Sequence, residues 1–282
     1  MVVIEASSLE KRFGEFIALK EMSFNVKGDI ICVLGPNGSG KTTLLSIVAG
    51  LRRPSKGSLR VDGIKPYDER DKAFTDFSFM FERPRFPLSI RVRDVVDVLS
   101  DCKFKDLFNE LGLKRLSNRK LYELSMGEAQ LVGLYVSLCK MARLVILDEP
   151  FAHLDVKRAS ILMDLISAIS SKTSVVFTTH SPEEAELLSD SLVVLEDGRL
   201  KWSGSVRELF QRGGYEVIVS PKRRNVVEEW LRDAGAKRLY CFGGYCFVYG
   251  VEEDMLLNLV KQGLIIGFRA MGVRGYYVGF EA

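Results

Sequence analysis

Along the first 210 positions, apolar residues alternate between compact β-rich runs and stretches that repeat every three or four residues, the pattern of an α/β core. Val2–Ala6, Ile30–Leu34, Ser58–Val61, Phe77–Phe81, Leu144–Leu147, Ser174–Phe177 and Leu192–Leu195 predict strands. Helical periodicity covers Thr42–Ala49, Val92–Leu99, Phe104–Leu111, Glu128–Cys139, Val156–Ser170, Glu183–Leu188 and Val206–Phe210. Residues 84–141 are almost wholly helical in pattern, which predicts a subdomain inserted between two core strands. At Gln211-Arg212-Gly213-Gly214 the pattern resets. There follow a strand (Tyr215–Val219), a helix (Val226–Ala234), a hairpin (Arg238–Tyr249), a helix (Glu253–Gln262), a strand (Leu264–Ala270) and a β-rich piece (Gly275–Phe280). That order is close to a split βαβ, ferredoxin-like arrangement. The expected division is an α/β domain over 1–212 and a small α+β domain over 213–282.

Composition narrows the class. A chain of 282 residues that is 47% apolar has material for one large or two modest cores. Its longest apolar runs, Leu144–Leu147 among them, meet a charge far short of the roughly 18 residues a membrane span needs. The start, with neither a basic region nor a long apolar one, does not read as a secretory signal, so a cytosolic protein is expected. The net charge of +3 is spread along the chain and leaves no nucleic-acid footprint. None of the five cysteines has metal-ligand spacing, and buried thiols are the default in a reducing cytosol. Cys241 and Cys246 flank Phe242-Gly243-Gly244-Tyr245. A Gly-Gly turn there pairs Phe242 with Tyr245 and sets the cysteines opposite each other. Backbones at such a position approach to roughly 4.5 Å, near the lower limit for a disulfide, and in a reducing cytosol free thiols are expected. Three glutamines in the whole chain hint at a thermophile, the exception in which intracellular disulfides persist.

Gly35-Pro36-Asn37-Gly38-Ser39-Gly40-Lys41-Thr42-Thr43 follows the strand Ile30–Leu34 and precedes good helix formers. This is the spacing of a phosphate-binding loop. Its glycines let backbone N–H groups converge on a polyphosphate, Lys41 reaches the outer phosphates, and Thr42 offers a hydroxyl to Mg²⁺. The helix that starts there points its positive end at the same anion. Leu144–Leu147 runs into Asp148-Glu149. Behind a phosphate loop, the first carboxylate suits Mg²⁺ and the second can orient or deprotonate a water for attack on the γ-phosphorus. The strand through Phe177 ends at Thr178-Thr179-His180, where a neighbouring strand delivers an imidazole to the same phosphate.

Leu124-Ser125-Met126-Gly127-Glu128, opening a helix ahead of the two carboxylates, resembles the LSGGQ signature of the ATP-binding cassette (ABC) family. The resemblance covers roughly residues 1–210, with the family's landmarks in order. These are Phe13, the phosphate loop, Glu82, the signature, Asp148-Glu149, the segment Phe151-Ala152-His153-Leu154-Asp155, and His180. It implies a P-loop NTPase fold with an inserted helical subdomain, and ATP and Mg²⁺ as cofactors. By the same resemblance Phe13 stacks on adenine, Glu149 is the catalytic base, His180 senses the γ-phosphate, and Asp155 joins the nucleotide site. Ser125 and Gly127 then contact the nucleotide held by a second cassette, and a homodimer is favoured over a heterodimer. Transmembrane permease subunits are the implied partners, with the chain peripheral on the inner face of the cell membrane. Arg83-Pro84-Arg85-Phe86-Pro87 opens the part that grips them. The small C-terminal domain is similar to that of exporter ATPases, which favours export. Importer ATPases with a ligand-sensing tail and soluble non-transport cassettes are the alternatives.

Three departures from the family pattern stand out. Glu82 replaces the usual Gln and is expected on Mg²⁺, protonated beside it, or turned away. Met126 and Glu128 replace Gly and Gln in the signature, and Leu131 stands where a basic residue is common. His153 replaces a small residue in the interface segment.

Overall fold

The computed structural model describes residues 1–84, 89–99, 102, 105–140, 142–210 and 213–279, and divides the chain into two compact units, Met1–Gly204 and Ser205–Ala282. The residues Arg85, Phe86 and Pro87 of the expected permease-gripping stretch, Gln211 and Arg212 of the expected boundary, and Phe280 lie outside the described residues.

The first unit begins with β1 (Val2–Phe13), β2 (Phe16–Gly28), β3 (Ile30–Leu34), α1 (Lys41–Val48) and β4 (Lys56–Val61). It continues with α2 (Arg70–Asp76), β5 (Phe77–Met80), α3 (Val92–Val98), α4 (Lys105–Glu110) and α5 (Met126–Cys139). Then come β6 (Leu144–Leu147), α6 (Val156–Ser170), β7 (Ser174–Thr179), α7 (Pro182–Leu188), β8 (Ser191–Glu196) and β9 (Arg199–Ser205). Six strands form one sheet in the order β5-β6-β7-β3-β8-β9, and β5, β6, β7, β3 and β8 run parallel. Such strands are buried on both faces, which is why they read as continuous apolar runs in the sequence. A second, antiparallel sheet has the order β2-β1-β4. Between the sheets and around α1 lies a core that includes Leu9, Leu19, Phe24, Leu44, Leu45, Val48, Ile146, Val176 and Val193. Because β3 is central, with β7 and β8 on either side, the loop at its end stands at the middle of the sheet's carboxyl edge.

Several elements depart from expectation. β2 was not expected, although it buries Met22, Phe24 and Val26 and exposes Ser23, Asn25 and Lys27 in strict alternation. β1 runs on to Phe13, past Ala6, because register shifts near Ser8, whose φ is 45°, carry the extra residues without breaking the pairing. The charged segment Arg70–Asp76 is helical and β9 adds an edge strand, neither expected from apolar periodicity. Cys102 and Cys139 are joined in a disulfide that ties the end of α5 to the chain before α4, in place of the free thiols expected. Proximity created by tertiary packing, not spacing, brings them together.

The second unit contains α8 (Val206–Phe210), β10 (Tyr215–Ile218), α9 (Arg224–Asp233), β11 (Arg238–Phe242), β12 (Tyr245–Tyr249), α10 (Glu253–Lys261), β13 (Gly267–Ala270) and α11 (Val273–Gly279). The unit starts at Ser205, so α8 belongs to it, where the sequence reading placed the break after residue 212. Its sheet has the order β11-β12-β10-β13 with every pair antiparallel, the arrangement of a split βαβ unit. Val217, Val219, Cys246 and Val248 pack with Val227, Leu231, Leu256 and Leu259 of the two crossover helices in a core of their own. On the opposite face the buried Glu216 carboxylate pairs with Arg269 at 2.8 Å and Arg274 at 3.2 Å. Gly275–Phe280, expected to be β-rich, is helical through Gly279, with Val273 and Tyr276 buried; this context overrides the strand preference of its aromatics. The hairpin pairs Phe242 with Tyr245 and Cys241 with Cys246. The two cysteines, Cα atoms 4.1 Å apart, form a disulfide, which corrects the expectation of free thiols. Cys32 remains a buried free thiol, its pKa pushed up by burial.

Candidate active site

The phosphate loop turns where only glycine fits. Gly40 has φ 100°, and a Cβ there meets a Leu19 methyl at 2.6 Å and the Ala18 carbonyl oxygen at 2.8 Å, so the loop lies directly on β2. A Cβ on Gly35 comes within 2.3 Å of the Leu195 carbonyl oxygen, which packs the loop against β8. Lys41, the first residue of α1, is buried, and its Nζ donates to the carbonyls of Gly35 (2.8 Å) and Pro36 (3.1 Å). It also stands 3.1 Å from Glu149 Oε1.

Glu149 is held from several sides. Its φ of 48° is left-handed, uncommon for a residue with a Cβ. Its N–H donates to Thr178 Oγ1 at 2.7 Å, and its Oε2 lies 3.2 Å from His180 Nδ1. The same Thr178 hydroxyl donates to Asp148 Oδ1 at 2.9 Å, and Thr42 Oγ1 donates to that oxygen at 3.1 Å. Burial pushes the Asp148 carboxyl above its ordinary range; the two threonine hydroxyls oppose the shift, and the neighbouring charges of Glu149 and Glu82 add to it. The end of β7 is anchored in turn: Gly35 N–H donates to the Thr179 carbonyl at 3.2 Å, and the Thr179 hydroxyl donates to Glu184. Burial raises the Glu184 pKa.

One pocket gathers Asn37, Gly38, Gly40, Lys41, Thr42, Thr43, Glu82, Glu149 and His180 with Phe16, Ala18, Arg83, Ala152 and His153. A further recess is lined by Thr42, Phe81, Glu82, Arg83 and Asp148, so Glu82 shares a wall with the Thr42–Asp148 pair. A hydroxyl and one or two carboxylates are too few for an all-protein cage, and among the described residues no group of three or more His, Cys, Asp or Glu forms one. That donor set fits Mg²⁺ completed by phosphate oxygens and water.

Phe13, Ser125, Gly127 and Asp155 do not line this pocket. Phe13 has the Arg52 guanidinium 5.0 Å and the Lys11 ammonium 5.1 Å from its ring centroid. Its cross-strand neighbour Phe16, 68% exposed, is the ring that lines the pocket. Phe16 was missed, yet the turn at Gly14 and Glu15 signals that residues 13 and 16 pair. Asp155 caps α6, accepting from the Arg158 N–H at 2.9 Å.

Ser125 caps α5 in a reciprocal box: Glu128 N–H donates to its hydroxyl, and the Ser125 N–H donates to Glu128 Oε2 at 2.9 Å. Arg119 holds the same carboxylate through both oxygens at 3.2 and 3.0 Å. The Ser125 backbone bond first, then its hydroxyl and the Arg119 charge, keep the Glu128 pKa below the ordinary range. The negative charge that replaces a neutral glutamine is thus paired within the subunit. A Cβ on Gly127 lies 3.3 Å from the carbonyl oxygen of His153, which itself has φ 62°. Leu131 is core, 1% exposed.

A family model described as ABC transporter matches residues 19–152. The sulfate/thiosulfate import ATP-binding protein CysA of Bordetella bronchiseptica is 35% identical over 74% of this chain, which spans 64% of the length of that relative. The molybdate/tungstate import ATP-binding protein WtpC of Archaeoglobus fulgidus is 30% identical over 77% of this chain and 94% of its own length. The uncharacterised ABC transporter ATP-binding protein YxlF of Bacillus subtilis is 27% identical over 82% of this chain and 80% of its own. Among solved structures, the ATP-binding cassette MJ0796, a dimer in a post-hydrolysis state bound to ADP and phosphate, superposes with TM-score 0.62 at 25% identity, covering 72% of this chain and 98% of that one. An ATP-binding subunit of an ABC transporter reaches TM-score 0.66 at 22% identity over 74% of this chain and 92% of its own. Joined to the phosphate loop, the Asp148-Glu149 pair and the capped signature helix, these likenesses place the chain in the family of ABC transporter ATP-binding proteins.

Proposed function

We propose that this chain binds and hydrolyses ATP to drive transport through separate membrane subunits. The observation that carries the reading is the Glu149 carboxylate at the mouth of the phosphate loop, between Lys41 and His180. In this role Lys41 and the loop amides of Gly38, Ser39 and Gly40 take the phosphates. Thr42, Asp148 and Glu82 would hold Mg²⁺, which would supply positive charge to offset that of the phosphates. Glu149 takes the proton from a water whose oxygen attacks the γ-phosphorus as ADP leaves, and His180 orients the γ-phosphate. Phe13, with Phe16 beside it, provides the aromatic surface for the base. Ser125 and Gly127 serve the nucleotide of a second copy.

Permeases on separate chains and a place at the inner membrane face belong to this reading; no helix among the described residues is long and apolar enough to cross a membrane. Export is the direction favoured by the second unit. Import is supported by the names of CysA and WtpC. ATP hydrolysis by the purified chain tests the enzyme. Reconstitution with permeases encoded beside it, with substrate followed into or out of vesicles, tests direction.

Two further outcomes follow from this reading. A chain ending at Ser205 is expected to remain folded and bind ATP, because each unit has its own apolar core. Thermal melts and nucleotide titration check it, and insolubility of the shortened chain counts against independent units. Met126→Gly is expected to raise turnover of the homodimer several-fold, about 1 kcal/mol, by opening the backbone at the start of α5 to a partner's phosphate. An unchanged rate, with strong stimulation by a second cassette from the same genome, favours a heterodimer.

A further inference from the structure

Gln130 is fully buried in α5 and reaches out of the helix to the segment after β6. Its Nε2 donates to the Glu149 carbonyl at 2.9 Å and to the Pro150 carbonyl at 3.3 Å. Two facing carbonyls fix the amide's orientation, since the flipped form sets oxygen against oxygen. The other end, Oε1, is buried without a hydrogen-bond partner among the described residues. Leucine or methionine fills such a space without an orphaned acceptor, so the donor end must contribute something that packing does not.

What it contacts is a backbone in an unfavourable state. Glu149 has φ 48°, and the proline that follows restricts its backbone further. Thr178 on β7 holds the Glu149 N–H, and Gln130 on α5 holds its carbonyl. The residue is therefore clamped on both sides, with its carboxylate left to face Lys41 and His180.

We propose that Gln130 is a positioning residue for ATP hydrolysis: it keeps Glu149 in its left-handed backbone conformation and so aims the carboxylate at the attacking water. The inference rests on the reading of Glu149 as the base. It also gives the signature helix a direct link to its own subunit's chemistry. A shift of α5, which begins just after Ser125, reaches the Glu149 peptide through one hydrogen bond.

The test uses the full-length protein with Gln130→Met, Gln130→Ala and Gln130→Glu, and Glu149→Gln as reference. Methionine preserves the volume and guards against a packing defect in the alanine variant. Both neutral variants are expected to bind fluorescent ATP within about twofold of wild type while kcat falls about tenfold or more. Gln130→Glu can donate only when protonated, so its rate relative to wild type rises as pH is lowered, while Gln130→Met stays flat. A wild-type kcat in a folded Gln130→Met, a parallel loss of nucleotide affinity, or the same pH profile for the Met and Glu variants overturns the proposal. If Glu149→Gln itself keeps turning over, the base assignment fails instead; a dead Glu149→Gln beside a fully active Gln130→Met removes only the role of Gln130.

Discussion

Glu149→Gln is expected to stop turnover, by roughly 10²-fold or more, while ATP still binds. The amide keeps the shape of the side chain but cannot accept a proton from water. It also removes the negative charge that stands 3.1 Å from Lys41, so that lysine has one competitor fewer when a γ-phosphate arrives. Nucleotide affinity should therefore equal or exceed that of wild type, and Mg²⁺-ATP should accumulate a dimer detectable by light scattering. Residual hydrolysis above a few per cent of the wild-type rate, measured as phosphate release, means that another group is the base.

Lys41→Ala is expected to damage binding itself. Its Nζ gathers the carbonyls of Gly35 and Pro36 and the Glu149 carboxylate, so its removal leaves these oxygens facing the incoming phosphates with no cation between them. A hydrogen bond to a charged group is worth about 1.5–3 kcal/mol, which corresponds to roughly tenfold to hundredfold in affinity. Arginine is not expected to rescue, because its planar fork does not fit a site built around a point charge. Titration with fluorescent ATP reads the loss directly, and an unchanged dissociation constant refutes the placement of phosphates on this loop.

What the sequence made legible is local. The phosphate loop is readable because its glycines are demanded by backbone positions within a few residues of one another, and the parallel strands because burial on both faces leaves an uninterrupted apolar run. Glu149 and His180 end such strands, so their neighbourhood follows once β3, β6 and β7 share a sheet. Phe16 and β2 are legible in principle, through the short turn at Gly14 and Glu15 and the strict alternation from Met22 to Lys27. Thr178, Arg119 and Gln130 were not. Their roles depend on which backbone amide or carboxylate another element brings opposite them, and that is set by register and helix packing. The disulfides divide the same way. The register of Cys241 and Cys246 could be derived from the Gly-Gly turn although their bond was judged by compartment, while Cys102 and Cys139 meet only in the folded helical subdomain.

The central place of β3 also governs when the site can come into being. Its sheet partners are β7 and β8, with Ile30 opposite Val175 and Ile31 opposite Ser191, so the strand carrying the phosphate loop leaves the ribosome long before either neighbour exists. At synthesis rates of about 5–20 residues per second the nascent loop waits many seconds with an apolar strand unpaired. β5 and β6 can pair with each other once both are made, but they join β3 only when β7, which ends at Thr179, emerges. Nucleotide capture is thus a late event in the life of each chain, and the interval before it is when an unpaired β3 is most open to chaperones and to aggregation.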